Sequence, residues 1–169
     1  MKAIISLKKV LDELEAVSGE SSAFLNVNTG ETYVVFDEES AGDDKFDDDA
    51  NLPDWQKQDH RIRREIADGN GWIDLPSSFD IHEWSILEAF ALQQSNSKLR
   101  ETLLDAIHQS GAFRRFKALV ARHGIDAQWY RFREDHLKAL AIAWLKEHNL
   151  KFVDDTQVQA QAQSQSEQP

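Results

Sequence analysis

The chain of 169 residues contains no cysteine, which excludes disulfides, thiolate nucleophiles and thiolate metal ligands. Glycine and proline are scarce, with seven and three residues, and leave little room for a glycine-rich catalytic loop. The sequence has no Gly-x-Ser-x-Gly, Walker or Gly-x-Gly-x-x-Gly motif. Its six histidines are scattered and form no His-Glu-x-x-His pair. These absences favour a non-enzymatic protein, and we expect no catalytic residue, no cofactor and no metal site.

Long hydrophobic runs are also absent, because no apolar segment approaches the ~20 residues that span a bilayer. Residues 1–9 have only a brief apolar stretch before two lysines and lack the apolar region of a signal peptide. With 41% hydrophobic and 29% charged residues, the composition predicts a globular protein with one core, or two small lobes that share one. We therefore expect a cytoplasmic protein that does not associate with membranes.

The net charge of −11 is distributed unevenly along the chain. Residues 1–60 contain five lysines, no arginine and 15 acidic residues, whereas residues 96–151 contain 11 basic and six acidic residues. This asymmetry indicates either internal charge complementarity or two surfaces for two partners. An EF-hand loop that started at Asp47, in the acidic run over 37–49, would need glycine where Leu52 stands and glutamate where Gln58 stands. We interpret the acidic segment as a solvated charge run, with weak divalent binding as the alternative.

Apolar spacing predicts a first helix over 6–17. Residues 23–27 and 32–36 flank Asn28-Thr29-Gly30, which is typical of a β-hairpin because glycine readily takes a positive φ. The hairpin alone would be marginally stable, so we expect helices to pack on one of its faces.

The rest of the chain alternates between one short strand and several helices. A second helix is predicted to open near Pro53, which suits a first helical turn, and residues 71–76 resemble a third strand. Asp80 and Glu83 have the spacing of a capping box. Helical apolar stripes then occur within 81–91, 99–107, 113–120 and 137–145.

These patterns predict an α+β fold, with an N-terminal helix plus a small three-stranded antiparallel sheet and a C-terminal helical half. We expect a single α+β domain over 1–155, with a mixed front half over 1–76 and a helical back half over 77–155. The Gln-rich tail over 156–169 has almost nothing to bury, and we expect it to be disordered.

Two segments of the back half combine aromatic residues with arginines, namely residues 111–117 and residues 129–133. Arginine binds carboxylate or phosphate with two parallel hydrogen bonds and stacks on aromatic rings. The first segment also contains a helix N-terminus, which attracts anions. We predict an aromatic–arginine surface that comprises Arg114, Arg115, Lys117, Trp129, Tyr130, Arg131 and Arg133. The alternatives are that the aromatic residues are core and the arginines solvated, or that the arginines pair with acids of the same chain.

Five blocks occur in one order along the chain, at 52–56, 72–76, 111–117, 129–133 and 143–145. Together they resemble an uncharacterised protein family, of the UPF type, of small bacterial cytoplasmic proteins. The Gly-Ala-Phe-Arg-Arg-Phe block is the most specific part, and the resemblance covers residues 6–150. It implies a bacterial cytoplasmic protein and implies no activity, ligand or catalytic residue.

Three functional hypotheses follow from these observations. The first is a non-enzymatic interaction or regulatory protein that binds an unknown protein partner through the aromatic–arginine surface. The second is a nucleic-acid or nucleotide-phosphate binding module, which the basic back half supports and the acidic net charge disfavours. The third is a cryptic hydrolase, whose acids and histidines would meet only on folding.

Overall fold

The computed structural model describes residues 1–36 and 51–157. These form two compact units, the first from residues 1–79 and from 141 onward, the second from residues 80–140. The acidic run over 37–49 lies outside the described residues, as does the Gln-rich tail from residue 158. The single domain over 1–155 and the disorder of the tail stay predictions.

The first unit contains a three-stranded antiparallel sheet, as predicted. Its elements are β1 (Ile5–Ser6), α1 (Leu7–Ala16), β2 (Ser21–Asn26), β3 (Thr32–Phe36), α2 (Asp54–Ala67), β4 (Trp72–Asp74) and, at the end, β5 (Phe152–Val153). The sheet has the order β3-β2-β4, so the hairpin strand β2 lies in the centre. Leu25 of β2 pairs with Thr32 on one side and with Ile73 on the other. The turn of the hairpin ends at Gly30, whose φ of 79° suits glycine.

Helix α1 forms where the apolar spacing predicts it. Leu7, Val10, Leu11 and Leu14 recur on one face and are all buried. Ser6 caps the helix, because its hydroxyl accepts a hydrogen bond of 3.2 Å from the Lys9 N–H. The helix ends at Ala16, since Val17 has an extended backbone.

The start of α1 contacts the end of the described chain. Strand β5 pairs in parallel with β1, which places Ser6 opposite Val153. Just beyond β5, Asp155 accepts hydrogen bonds from the Ser6 hydroxyl (2.5 Å) and the Lys8 N–H (2.9 Å). Burial raises the pKa of Asp155, but the hydrogen bonds from Ser6, from Lys8 and from its own backbone together outweigh burial, so the pKa lies below its ordinary value. The carboxylate therefore stabilises the helix start in its ionised form.

The second unit is helical, as expected of the back half. Its elements are α4 (Glu83–Gln93), α5 (Ser97–Ile107), α6 (Ala112–Arg122) and the part of α7 (Asp126–Glu147) up to Leu140, and the short α3 (Ser78–Ile81) precedes them. Helix α4 packs on α5, and α5 packs on α6. Asn96 caps α5 by accepting hydrogen bonds from the N–H groups of Lys98 and Leu99. The predicted fold class, α+β with a helical C-terminal half, is confirmed.

One predicted helix start is wrong. Asp80, assigned as the capping residue, lies inside α3, and His82 immediately precedes α4 with a left-handed backbone at φ 51°. A left-handed histidine breaks the helical run that the apolar stripe alone would continue.

Within the described ranges, no helix combines the length and apolarity that crossing a bilayer requires.

We predict that Asp155→Asn destabilises the protein by about 1 kcal/mol at pH 7, since one charge-assisted acceptor is lost from a partly exposed site. The folded-state pKa is lowered, so this stabilisation exists above the unfolded pKa of about 3.9 and disappears as pH falls through the folded pKa. Urea unfolding at pH 7 and at a series of lower pH values, as far as the wild type remains folded, measures the difference across this window. The difference in the free energy of unfolding between variant and wild type should disappear at low pH.

The matched control is Glu20→Gln, which removes one exposed carboxylate that lies outside this contact. It should leave the free energy of unfolding within about 0.5 kcal/mol of wild type. A gap for Asp155→Asn that stays constant down to acid pH would contradict the assigned role of the carboxylate.

Candidate interaction surface

Helix α6 concentrates positive charge on an otherwise acidic protein. Its 11 residues include Arg114, Arg115, Lys117 and Arg122 and no acidic residue. The N-cap residue Gly111 has a φ of 74°, a backbone that favours glycine. The three basic side chains nearest the N-terminus of the helix, those of Arg114, Arg115 and Lys117, are exposed.

The burial pattern of α6 separates an apolar face from a cationic one. Phe116 and Val120 are buried, with exposed fractions of 0% and 2%. Phe113, one turn before Phe116, keeps 46% of its surface exposed. An exposed aromatic ring therefore lies in the same turn of helix as the cations, a combination that is common at protein interfaces.

A groove of about 540 Å³ runs between α5 and α6. Arg115 and Arg122 both line it, seven residues or about two helical turns apart. The remaining lining residues are Thr102, Asp105, Ala106, Gln109, Ala118 and Leu119. Arg115 already donates a hydrogen bond from Nη1 to Oε1 of Gln109, which holds its guanidinium at this groove.

The second predicted segment, residues 129–133, lies in the first two turns of α7. Its side chains point in different directions, as a helix requires. Trp129 is buried, with 2% of its surface exposed, whereas Tyr130 is 58% exposed. Arg131 is exposed and lines a separate cleft of about 400 Å³, together with Phe90, Phe132 and Asp135.

Trp129 belongs to an aromatic cluster in the core of the second unit. Its ring centroid lies 4.8 Å from that of Phe116 and 5.4 Å from that of Phe90, both in T-shaped contacts. Phe132 also contacts Phe90, at 5.3 Å. Within the described residues, the indole N–H of Trp129 is buried without a hydrogen-bond partner. Trp129 thus supports the surface from beneath.

Arg133 is bound to an acid of its own unit. Its guanidinium donates to both carboxylate oxygens of Glu83, with Nε at 2.9 Å from Oε1 and 3.2 Å from Oε2, and Nη2 also contacts Oε1. Both side chains are half-buried, with 24% and 28% exposed. This arrangement matches the alternative that an arginine of the segment has an intramolecular target.

The seven predicted residues therefore occupy four different settings. Arg114, Arg115 and Lys117 are exposed on α6, Tyr130 and Arg131 are exposed on α7, Trp129 is core, and Arg133 is in an ion pair. We define the basic face of α6 as the side chains of Arg114, Arg115, Lys117 and Arg122 together with Phe113. Arg122 was missing from the predicted set, although its spacing of seven from Arg115 could have placed both on one helix face.

No metal centre emerges from the described ranges. Neither 1–36 nor 51–157 contributes to a group of three or more histidine, aspartate or glutamate side chains placed to hold an ion.

We predict that Arg133 and Glu83 are coupled by about 1 kcal/mol, at the upper end for partly exposed pairs because the contact is bidentate. A double-mutant cycle of Arg133→Ala and Glu83→Ala, followed by urea unfolding, measures this coupling free energy. The same cycle on Lys8 and Asp12, a 2.7 Å pair with a more exposed carboxylate, serves as control and should give less. Equal coupling in the two cycles would contradict the structural role of Arg133.

We predict that Trp129→Ala lowers the free energy of unfolding by about 3–5 kcal/mol, the usual cost of removing a large buried aromatic. Trp129→Phe should cost less than half as much, because it keeps a ring in the cluster and removes the unpaired N–H. Urea unfolding compares both with Trp55→Ala, whose side chain is 68% exposed and whose loss should change stability little. A larger loss for Trp129→Phe than for Trp129→Ala would be inconsistent with this packing.

Comparison with known proteins gives a family without a described activity. No curated protein and no solved structure matches the chain significantly. The sequence profile of the uncharacterised protein family UPF0158 matches residues 3–167, nearly the entire chain. The chain therefore belongs to the uncharacterised protein family UPF0158.

Proposed function

We propose that the chain is a non-enzymatic interaction or regulatory protein of the bacterial cytoplasm, which binds an acidic segment of a protein partner on the basic face of α6. The observation that carries this proposal is the charge of α6, with four basic residues and no acid on a chain of net charge −11. This local positive charge is opposite in sign to the net charge of the protein, and it attracts acidic surfaces.

The chemistry of this face favours carboxylates as partner groups. Two guanidiniums, those of Arg115 and Arg122, line one groove and can each bind a carboxylate with two hydrogen bonds. The N-terminus of α6 adds partial positive charge next to Arg114. Phe113 provides an exposed aromatic contact, and aromatic residues with arginine are enriched among residues that dominate binding energy.

The second candidate function is binding of nucleic acid or nucleotide phosphate by the same face. Exposed Phe113 favours it, because rings beside arginines stack on bases. The net charge of −11 disfavours it, because it repels a polyanion at distances beyond direct contact. A hydrolase remains the third hypothesis and has no support from a particular group of side chains.

The test is an affinity pull-down from a native bacterial lysate at moderate salt, with wild type and the variant Arg114→Glu/Lys117→Glu. Neither side chain forms an ion pair within the described part of the chain, so the variant should fold. Arg133 is unsuitable for this purpose, because its reversal would place two acids together at Glu83. We expect a protein that wild type retains and the variant loses.

The matched control is Lys98→Glu/Lys151→Glu, which makes the same change in net charge at two exposed lysines outside α6. It should retain the partner, and near-UV circular dichroism should be the same for all three proteins. Nucleic acid recovered with wild type alone would favour the second candidate. Identical recoveries from wild type and the α6 variant would overturn the proposal.

A further inference from the structure

The first unit contains a cleft of about 590 Å³ that is unrelated to the basic face of α6. Its walls come from the hairpin of β2 and β3, from one side of α2 and from the start of β4. The residues that line it include Asn26, Glu31, Tyr33, Trp55, Arg61 and Trp72. This volume is in the range of sites that take a small molecule or a side chain with its peptide neighbours.

Three aromatic side chains line this cleft, those of Tyr33, Trp55 and Trp72. Tyr33 and Trp72 meet edge to face, with centroids 6.5 Å apart and planes at 71°. Trp55 leaves 68% of its surface exposed, although tryptophan is among the side chains that gain most from burial. Helix α2, which carries it, has no fully buried residue. An exposed tryptophan beside two further rings is typical of a site that binds a ligand group.

The charges at the cleft are mostly negative. Glu31, Asp59 and Glu65 line it with one basic residue, Arg61. Two basic residues outside the lining also pair with these acids, Lys9 with Glu31 at 3.4 Å and Arg63 with Asp59 at 2.9 Å. Glu65 accepts a hydrogen bond of 3.3 Å from the indole N–H of Trp72, so this carboxylate is held beside a ring. Acids that flank aromatic faces stabilise a bound cation, because both the carboxylates and the ring quadrupoles attract it.

Arg61 shows how a guanidinium fits this setting. Its Nε lies 3.4 Å from Oε1 of Glu65, and its side chain remains 76% exposed. A pair this exposed contributes little to stability and can be displaced. Arg61 therefore pairs only weakly with Glu65, and an arginine from another chain can compete with it for this carboxylate.

Asn26 adds a polar group that a peptide ligand can use. It is a buried polar residue of the first unit, with 8% of its surface exposed, and it lines the cleft. Its Oδ1 accepts hydrogen bonds from the N–H groups of Asn28 (2.9 Å) and Thr29 (3.2 Å). Its Nδ2 makes no hydrogen bond with the described residues, and an amide donor of this kind can bind a peptide carbonyl.

We propose that this cleft binds an arginine side chain in an extended segment of a partner protein. The guanidinium stacks on Trp55 and pairs with the carboxylates of Glu31 and Glu65, while a neighbouring peptide carbonyl accepts from Asn26. Charge complementarity selects a basic partner, and the planar guanidinium fits both ring faces and carboxylate pairs better than an ammonium does. The site has the opposite charge preference from the basic face of α6, so each proposal can fail alone.

The first experiment is titration of the isotopically labelled protein with the pentapeptide acetyl-Gly-Gly-Arg-Gly-Gly-amide. The five tryptophans give five indole N–H signals, which act as internal probes. We expect the signals of Trp55 and Trp72 to shift and that of buried Trp129 to stay in place. The same peptide with citrulline, a neutral isostere of arginine, should cause no shift. Shifts with the citrulline peptide, or unmoved Trp55 and Trp72, would overturn the proposal.

Variants separate the contributions of the individual side chains. Trp55→Ala should weaken binding about two- to fivefold, the usual effect of one exposed cation–π contact. Arg61→Ala should tighten it, because the internal competitor is gone. Both residues are largely exposed, so both variants should fold. Weaker binding by Arg61→Ala would contradict the role of Arg61 as a competitor for Glu65.

Two further arms address charge and the nature of the ligand. Glu31→Gln should weaken binding, whereas Glu20→Gln, the same change at a residue outside the cleft, should not. Tetramethylammonium tests whether a small organic cation suffices. If it binds as tightly as the arginine peptide, the peptide assignment is wrong.

Discussion

The T-shaped contact between Phe116 and Trp129 determines which side of α6 faces solvent. With ring centroids 4.8 Å apart, these two side chains hold the apolar face of α6 against the start of α7, and Phe90 contacts both. Because side chains of a helix are spaced at 100° per residue, burial of Phe116 and Val120 leaves Arg114, Arg115 and Lys117 outside. The cationic surface is thus a consequence of aromatic packing in the core.

Short-range features of this fold could be predicted from the sequence, and long-range ones could not. The α1 stripe and the hairpin around Gly30 are periodic or turn signals within a few residues, and the structure confirms both. Strand β5 has two residues, too few for any period, and forms only because β1 is available about 150 residues away. The left-handed His82 is not predictable either, since histidine, although enriched at positive φ, adopts such a backbone at only a small fraction of its positions.

The same division applies to the candidate surface. Composition showed that residues 111–117 are basic and aromatic, but it could not tell which arginine is already bound. Arg133 and Glu83 are separated by 50 residues, and only the fold brings the carboxylate to the guanidinium. The burial of Trp129 likewise depends on Phe90 of α4, which the sequence gives no reason to place beside it. In the folded protein, the charge asymmetry of the sequence corresponds to two local features, the basic face of α6 and the acid-lined cleft beside Trp55.

The contact of Asp155 with Ser6 and Lys8 has a consequence for how the protein is made. The first unit needs residues from both ends of the described chain, since β1 pairs with β5 and the carboxylate just after β5 holds the start of α1. During synthesis on the ribosome, this contact cannot form until residue 155 has emerged, and until then the start of α1 lacks the carboxylate that holds it. Residues 80–140 are contiguous and form their contacts locally, so they can fold earlier. The middle of the nascent chain can therefore complete its contacts before those of the beginning are complete.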